Sequence, residues 1–237
     1  QILKKMQGLL LKIYLTSYLV KNKIFNEDCL DTITNRELDY DYVFFSPPDY
    51  DELGMTPIED DEKYFGWMKD IYSKLNPNKN VVTIVISNRR YKRKTIPKHE
   101  YVTSIMKDLG YDLLNEKIWE KSKEINMYRY NYAFVLCYGK NKYKSKNTKQ
   151  FKYDIWFHPH HSYKGYSYNF SKNMVIRCIE NYTEKGDVVY DPFIGIGTTA
   201  VACLETERNF IGSEIDTEVY EICMDRLEQE QRSKQWF

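Results

Sequence analysis

"VVYDPFIGIGTTAVACLETERNFIGSEID", residues 188–216, decides the fold. It opens on a short apolar run, Val188–Tyr190, of the length and composition of a buried strand. Asp191-Pro192-Phe193 closes that strand, and Gly195-Ile196-Gly197 leads through Thr198-Thr199 into a helical stretch ending at Glu205. A second strand, Phe210–Ser213, follows and ends on Glu214. Glycine suits a strand-to-helix joint where the backbone turns tightly and approaches a ligand. The start of the helix offers N–H groups to a carboxylate. An acid at the end of the second strand suits a ribose diol, because a carboxylate accepts both hydroxyl protons. A lone G-x-G is weak. Strand, G-x-G, helix, strand and acid in this order set it apart from a glycine-rich turn in an unrelated α/β protein.

The alternation continues upstream. Ile24–Phe25 reads as a short strand before Asn26-Glu27-Asp28, and Tyr42–Phe45 as a buried strand closed by prolines. Tyr64–Leu75 has helical spacing with Asn76-Pro77-Asn78 as its stop, and Val81–Ile86 is a β-branched run typical of a parallel strand covered on both faces. Tyr101–Leu109 reads as a helix ended by Gly110; Leu113–Trp119 and Tyr132–Tyr138 read as paired strands. Residues 140–170 read as irregular, Lys172–Tyr182 and Glu218–Gln231 as helices. Strands alternating with helices predict an α/β sheet covered on both faces. The chain of 237 residues, 42% of them hydrophobic, is long enough for a sizeable core. The N-terminal "QILKKMQGLLLKIYLTSYLV" is broken by Lys4, Lys5 and Lys12. It is too short to span a membrane and lacks a small-residue cleavage site, so an extra segment packed on the domain is expected. Because the chain opens on Gln1, some preceding sequence is expected to be missing.

A second motif lies far upstream. "FFSPPDY", residues 44–50, runs from a strand into Ser46-Pro47-Pro48, with Asp49 and Tyr50 next. With "DPFIGIGTTA", "SPPDY" resembles the motif pair of the DNA amino-methyltransferases: a cofactor motif for S-adenosylmethionine and a catalytic (D/N/S)-P-P-(aromatic) loop. The order, catalytic motif first, resembles the permuted β group, which contains cytosine-N4 and adenine-N6 enzymes. "IFNEDCL", "YFGWMKDIYSKLNPNKNVVTIVIS", "EKIWEKSKEINMYRYNYAFVLCYGK" and "FSKNMVIRCIENYTEKGDVVYDPF" extend the resemblance over residues 24 to about 228. It implies a Rossmann-like class I methyltransferase fold, with a mostly parallel seven-stranded sheet and helices on both faces. A single domain over 1–237 is expected. Residues 24–139 form its catalytic half, 140–168 a short target-recognition region and 169–231 its cofactor-binding half.

The resemblance implies roles residue by residue. Asp191, followed by Pro192, would lie beside the amino group of the cofactor. Phe193 would pack on the cofactor, where an aromatic face favours a sulfonium. Gly195 and Gly197 would shape the loop, Thr198 and Thr199 cap the helix and bond the carboxylate, and Glu214 hold the ribose. Asp28, with Cys29 beside it, would meet the adenine ring, although a turn-forming acid reads almost as well. Asp216 is expected to cap the last helix. In the catalytic loop an exocyclic amine is a poor nucleophile, since its lone pair is delocalised into the ring. The Ser46 hydroxyl and a backbone carbonyl held rigid by Pro47 and Pro48 would accept its hydrogens and aim the lone pair. Asp49 stands where an aromatic is usual. Tyr50 is expected to take the stacking role, with Asp49 facing the amine; alternatively Asp49 caps a turn and Phe45 or Tyr163 stacks. Serine at the first position favours cytosine N4 over adenine N6. RNA or single-stranded DNA as substrate, and an inactive nucleic-acid-binding subunit, stay open.

Lys+Arg 35 against Asp+Glu 34 predicts no nucleic-acid partner by itself. The distribution says more. No acid falls between Asp70 and Glu100, where Arg89, Arg90, Lys92, Arg93, Lys94 and Lys98 lie, nor between Glu124 and Asp154, where lysines including Lys144 and Lys146 alternate with aromatics. Such runs suit phosphate contacts and base stacking, or a solvated loop. "HPHH" (His158, His160, His161) lacks a companion Cys or Glu at ligand spacing, so DNA contact by His160 and His161 is favoured over a metal, and no metal is expected. The five cysteines form no C-x-x-C pair, and Cys137, Cys178 and Cys203, inside apolar runs, read as reduced core residues. The expected partner is DNA, flipped into the site base by base, with a homodimer as an option because the recognition region is short. A cytoplasmic location is expected, or a nuclear one in a eukaryotic or viral source.

Overall fold

Uninterrupted Val, Ile, Phe and Tyr runs form the inner strands of the protein, seen in a computed structural model that describes residues 21–75, 81–123, 130–140, 151–159, 161–163 and 165–234. In chain order come β1 (Lys23–Phe25), α1 (Cys29–Asn35), β2 (Tyr42–Phe45), a 3-10 turn (Tyr50–Leu53), α2 (Asp61–Lys74) and β3 (Val81–Ile86). A hairpin of β4 (Arg89–Tyr91) and β5 (Lys94–Ile96) leads to α3 (Lys98–Asp108), β6 (Asp112–Glu120) and β7 (Tyr132–Gly139). Three short strands follow: β8 (Ile155–Phe157), β9 (His161–Tyr163) and β10 (Tyr166–Asn169). The chain then runs through α4 (Lys172–Tyr182), β11 (Val188–Asp191), α5 (Thr198–Glu205), β12 (Asn209–Ser213) and α6 (Thr217–Lys234).

One eight-stranded sheet has the order β1-β12-β11-β2-β3-β7-β6-β8. Its pairings are parallel from β1 to β3 and again between β6 and β8, while β7 is antiparallel to both β3 and β6. Only β7 therefore runs against the rest. Side chains alternate between two cores as strand geometry demands. Tyr42 and Phe44 face the core under α4, α5 and α6, with Met174, Cys178, Val201, Cys203 and Leu227. Val43 and Phe45 face the core under α1, α2 and α3, with Tyr64, Met68, Ile71, Val102 and Met106. Some buried tyrosine hydroxyls are paired, Tyr42 with Thr83 at 2.6 Å and Tyr182 with the donating Asn115 at 3.0 Å, whereas those of Tyr72 and Tyr111 have no hydrogen-bond partner among the described residues.

The strand order places the site. From β11 the chain crosses through α5 to β12 on one side; from β2 it crosses through α2 to β3 on the other. The crossovers diverge between β11 and β2, so their carboxyl ends flank an open crevice, where ligands of such sheets bind.

The structure departs from the sequence-based expectation in several places. The sheet has eight strands rather than seven, because β8 adds to β6 within residues read as irregular. β9 and β10 pair as an antiparallel hairpin in the same stretch. Short strands with exposed alternate residues, such as β8 with Ile155 and Phe157 outward, carry too little periodicity to stand out. α2 and α3 each begin three residues earlier than their apolar spacing suggests, since their first turns are polar. No helix among the described residues is long and apolar enough to cross a membrane. The N-terminal segment 1–20 lies outside the described residues.

Candidate active site

The two motifs meet at that crevice. β11 and β2 are neighbours, with Val189 opposite Tyr42 and Tyr190 opposite Val43, so Asp191 and Ser46 leave adjacent strand ends. The Phe193 ring lies 5.7 Å from Phe45 and 5.6 Å from Trp67 of α2. Trp67 and Phe193 are both half-buried and present aromatic surface between the two loops. Trp67 escaped the sequence reading because it sits inside an ordinary amphipathic helix.

The glycine loop is built from both sides. Gly195 (φ +53°) has open space where a Cβ would stand, so its backbone is free to approach a ligand. Gly197 (φ +82°) is different: a Cβ there would lie 2.5 Å from the Cys223 Sγ of α6, so this glycine is a packing requirement. Gly197 is also the N-cap of α5, in the left-handed conformation with no side-chain cap. Thr198 and Thr199 therefore do not cap the helix as the sequence suggested. Both are buried: the Thr199 hydroxyl donates to Asp191 Oδ2 at 2.6 Å, and Thr198 Oγ1 accepts from Arg226 at 3.1 Å. α5 thus begins without a side-chain cap, and uncapped first-turn N–H groups of a helix are the kind that bind an anion.

Glu214 ends β12. Its Oε2 accepts the Gly195 N–H at 3.0 Å and its Oε1 the Asp216 N–H at 2.9 Å. Burial raises its pKa, against the pull of these amides. A carboxylate has about four acceptor sites, so capacity remains beside these amides for a ribose hydroxyl. Asp28 stands beyond the neighbouring end of β1, and Asn26 Nδ2 donates to the Glu214 carbonyl at 2.9 Å. Asp28 is the N-cap of α1, accepting from the Leu30 N–H at 2.7 Å. Cys29 beside it is buried, with its thiol pushed up to about 12 by desolvation. Asp216 caps α6 as expected, accepting from Glu218 and Val219 N–H at 2.9 and 3.1 Å.

Asp191 is fully engaged inside the protein. Its Oδ1 accepts the Phe193 N–H at 3.0 Å and its Oδ2 the Thr199 hydroxyl. Desolvation raises its pKa to about 7, although both hydrogen bonds oppose this. The sign follows directly. A carboxyl that binds its proton more tightly folded than unfolded favours folding at low pH, and this contribution is lost as pH rises from about 4 to 7. Asp191→Asn is therefore expected to flatten the decline of unfolding free energy between pH 5 and 7 by about 1–3 kcal/mol. Parallel urea titrations of the two proteins at a series of pH values check it; an unchanged slope would show that Asp191 does not titrate there.

The catalytic-loop candidates are more unequal. Ser46 is half-buried and makes no side-chain hydrogen bond among the described residues. Pro47 is buried, and the Pro48 carbonyl accepts the Tyr64 hydroxyl at 2.8 Å. Asp49 caps the 3-10 turn: its side chain accepts from the Tyr50 N–H, and Glu52 Oε2 accepts the Asp49 N–H at 2.6 Å. It also pairs with Lys98 at 2.9 Å and Arg89 at 3.3 Å. Burial alone would raise its pKa, but Lys98, the Tyr50 amide and Arg89 hold it below the usual carboxylate range. Tyr50 is fully buried, stacked on Tyr64 at 3.9 Å with its hydroxyl on Asp61 at 2.7 Å. Its ring faces are thus taken by the core, which corrects the expectation that it stacks a base. Phe45 is fully buried as well.

The basic residues divide. Arg89 is turned inward, to Asp49 and, at 2.6 Å, to Asp51. This corrects its assignment to nucleic acid. Arg90 lies 4.3 Å over the Tyr130 ring, and Lys92 and Arg93 are exposed at the tip of the β4–β5 hairpin. Both tip residues have positive φ, +46° and +63°, the strained alternative to the usual Asn-Gly. Lys144, Lys146 and His160 lie outside the described residues, as does the side chain of His161. Tyr163, the alternative stacking residue, packs on α6 instead: Arg226 lies 4.9 Å from its ring and its hydroxyl donates to Gln229 at 3.2 Å. His158 has its pKa lowered by burial and then by Arg177.

Comparison with known proteins agrees with this geometry. A DNA methylase family profile, N6_N4_Mtase, matches residues 41–225. M.BamHI of Bacillus amyloliquefaciens, a type II methyltransferase, is 26% identical over 90% of this chain and 58% of its own. M.Cfr9I of Citrobacter freundii, another, is 38% identical over 26% of this chain, and the match spans only 20% of its length. Among solved structures, TTHA0409 from Thermus thermophilus, complexed with S-adenosyl-L-methionine, superposes with a TM-score of 0.70 at 22% identity, covering 88% of this chain and 94% of its own. The cytosine-N4-specific PvuII DNA methyltransferase superposes with a TM-score of 0.73 at 15% identity, covering 86% and 85%. These likenesses place the fold among the Rossmann-like class I methyltransferases, and the profile covering most of the chain, through both motif loops, makes it a member of the N6/N4 DNA methylase family.

Proposed function

We propose that this chain is an S-adenosylmethionine-dependent DNA methyltransferase acting on the exocyclic amine of a flipped base, with cytosine N4 as the target. The observation that carries this is the meeting of the Ser46-Pro47-Pro48 loop with the Gly195 loop at one crevice between β2 and β11. The cofactor fits that crevice: α5 opens with uncapped N–H groups for its carboxylate, Gly195 leaves space, and Glu214 keeps acceptors for its ribose. S-adenosylmethionine, when bound, supplies an activated methyl group. The chain's own part is alignment. The Pro48 carbonyl is held by Tyr64, which leaves the Ser46 hydroxyl and the Pro47 carbonyl to accept the two hydrogens of the amine. These bonds favour a tetrahedral nitrogen and direct its lone pair. Trp67 and Phe193 offer the aromatic surface that Tyr50 does not. No protein nucleophile is needed, and Cys137, Cys178 and Cys203 are buried with thiol pKa values raised by desolvation. Lys92 and Arg93 at the hairpin tip would meet phosphates.

Ser46 at the first motif position supports cytosine over adenine. Purified protein incubated with S-adenosylmethionine and duplex DNA, single-stranded DNA or RNA, followed by digestion to nucleosides and mass spectrometry, checks the whole reading. N4-methylcytosine in DNA is the expected product. N6-methyladenine alone would move the target to adenine, and no methylated nucleoside in any arm would leave a nucleic-acid-binding role. The division into a catalytic half, a short recognition region and a cofactor half within one domain belongs to the same proposal. A homodimer would complete the short recognition region from a second copy.

A further inference from the structure

Lys98 sits in an unfavourable place by every local measure. It is 3% exposed, and it opens α3, where the helix dipole disfavours a cation. A buried ammonium costs several kcal/mol unless its donors are matched. Here they reach the catalytic loop: Nζ donates to Asp49 Oδ1 at 2.9 Å and to the Tyr64 hydroxyl at 3.3 Å. The Tyr64 hydroxyl in turn donates to the Pro48 carbonyl at 2.8 Å. One ammonium thus grips two successive loop residues, one directly and one through a phenol. Arg89 adds a second hold, on Asp49 at 3.3 Å and Asp51 at 2.6 Å. Lys98 and Arg89 flank the β4–β5 hairpin, so both ends of that hairpin are fastened to the residue that follows Pro48.

We propose that Lys98 is a positioning residue for methyl transfer: its contacts with Asp49 and Tyr64 fix the Ser46–Asp49 loop so that the Ser46 hydroxyl and Pro47 carbonyl point at the amine. This rests on the activity proposed above. Asp49 then replaces the usual aromatic by being an anchor, not a stacking face. Burial lowers the Lys98 pKa; Asp49 raises it, Arg89 lowers it and Glu52 raises it, and these with Tyr64 and Tyr50 are the charged and titratable groups facing the ammonium among the described residues.

The test compares wild type with Lys98→Met and Tyr64→Phe. The second variant keeps the ring stacked on Tyr50 and removes only the hydroxyl, so it remains informative should Lys98→Met fail to fold. Three quantities are read: hydrogen exchange of the amides in residues 46–55, the Kd of S-adenosylmethionine by calorimetry, and the single-turnover rate at saturating DNA and cofactor. Exchange in residues 46–55 is expected to rise about tenfold and the rate to fall about 10²-fold in Lys98→Met, the scale of a small misplacement at a reacting centre. Tyr64→Phe is expected to fall between it and wild type. Cofactor Kd should stay within about threefold, and exchange in residues 191–201 should not change. Unchanged exchange in residues 46–55 in folded variants would overturn the grip. A rate loss accounted for by KM, or no rate loss despite faster exchange, would overturn the positioning role. A wild type that methylates nothing, with the exchange response intact, would instead overturn the assigned activity and leave the grip standing.

Discussion

Ser46→Ala is expected to lower the single-turnover rate of methyl transfer by about 10²-fold, the scale of losing one preorganised hydrogen bond at a reacting centre. The loss should fall equally on kcat and kcat/KM, because the bond to the amine strengthens as the nitrogen becomes tetrahedral. Cofactor affinity and Tm should hold. Ser46 makes no side-chain hydrogen bond to the rest of the described protein, so its removal leaves no buried partner unsatisfied. Ser46→Asp or Ser46→Asn restores an acceptor, and some activity should return. A rate within about threefold of wild type in Ser46→Ala would shift the task of holding the amine entirely to the backbone carbonyls.

Most of the fold was legible because its inner elements obey one simple rule each. β2, α4 and α5 fall on the residues their apolar runs predict, Tyr42–Phe45, Lys172–Tyr182 and Thr198–Glu205. The cofactor loop was legible for a related reason: glycine is needed there by backbone geometry, and geometry is written in the sequence as residue type. What stayed hidden depended on partners distant in the chain. α1 is seven residues long and half-exposed, too short for a period. The β4–β5 hairpin is nearly all polar, and its Lys92-Arg93 turn lacks the Asn-Gly signal.

The catalytic loop gives the clearest case. "SPPDY" announced a catalytic turn, but not how Asp49 and Tyr50 would divide the work. That is decided by α2 and α3, whose Tyr64 covers the Tyr50 ring and whose Lys98 claims Asp49. Lys98 itself carried no warning, standing in a run of basic residues that a sequence reading assigns to phosphates. Arg89 was misassigned for the same cause: a basic cluster reads as one surface, whereas the hairpin turns its first arginine inward and leaves its tip outside.

Two glycines separate cofactor binding from folding. Gly195→Trp adds a large side chain at a position where nothing stands within 4 Å of the added Cβ, so the substitution begins in open space. Its φ of +53° costs a non-glycine residue about 1–2 kcal/mol, which lowers Tm by a few degrees. The same space is where S-adenosylmethionine would lie, so its affinity should fall by more than about 10²-fold, or about 2.8 kcal/mol. Gly197→Ala inverts the pattern. Its Cβ would stand 2.5 Å from the Sγ of the buried Cys223, with φ at +82°, so the cysteine or the loop would have to shift. Overpacking adds about 1–3 kcal/mol to the cost of the backbone conformation, so Gly197→Ala should lose about 2–5 kcal/mol of stability. Thermal unfolding and calorimetric titration with S-adenosylmethionine read both variants. A Gly195→Trp protein that is folded and still binds the cofactor at wild-type affinity would place the cofactor away from this loop, and would take the proposed chemistry at Ser46 with it.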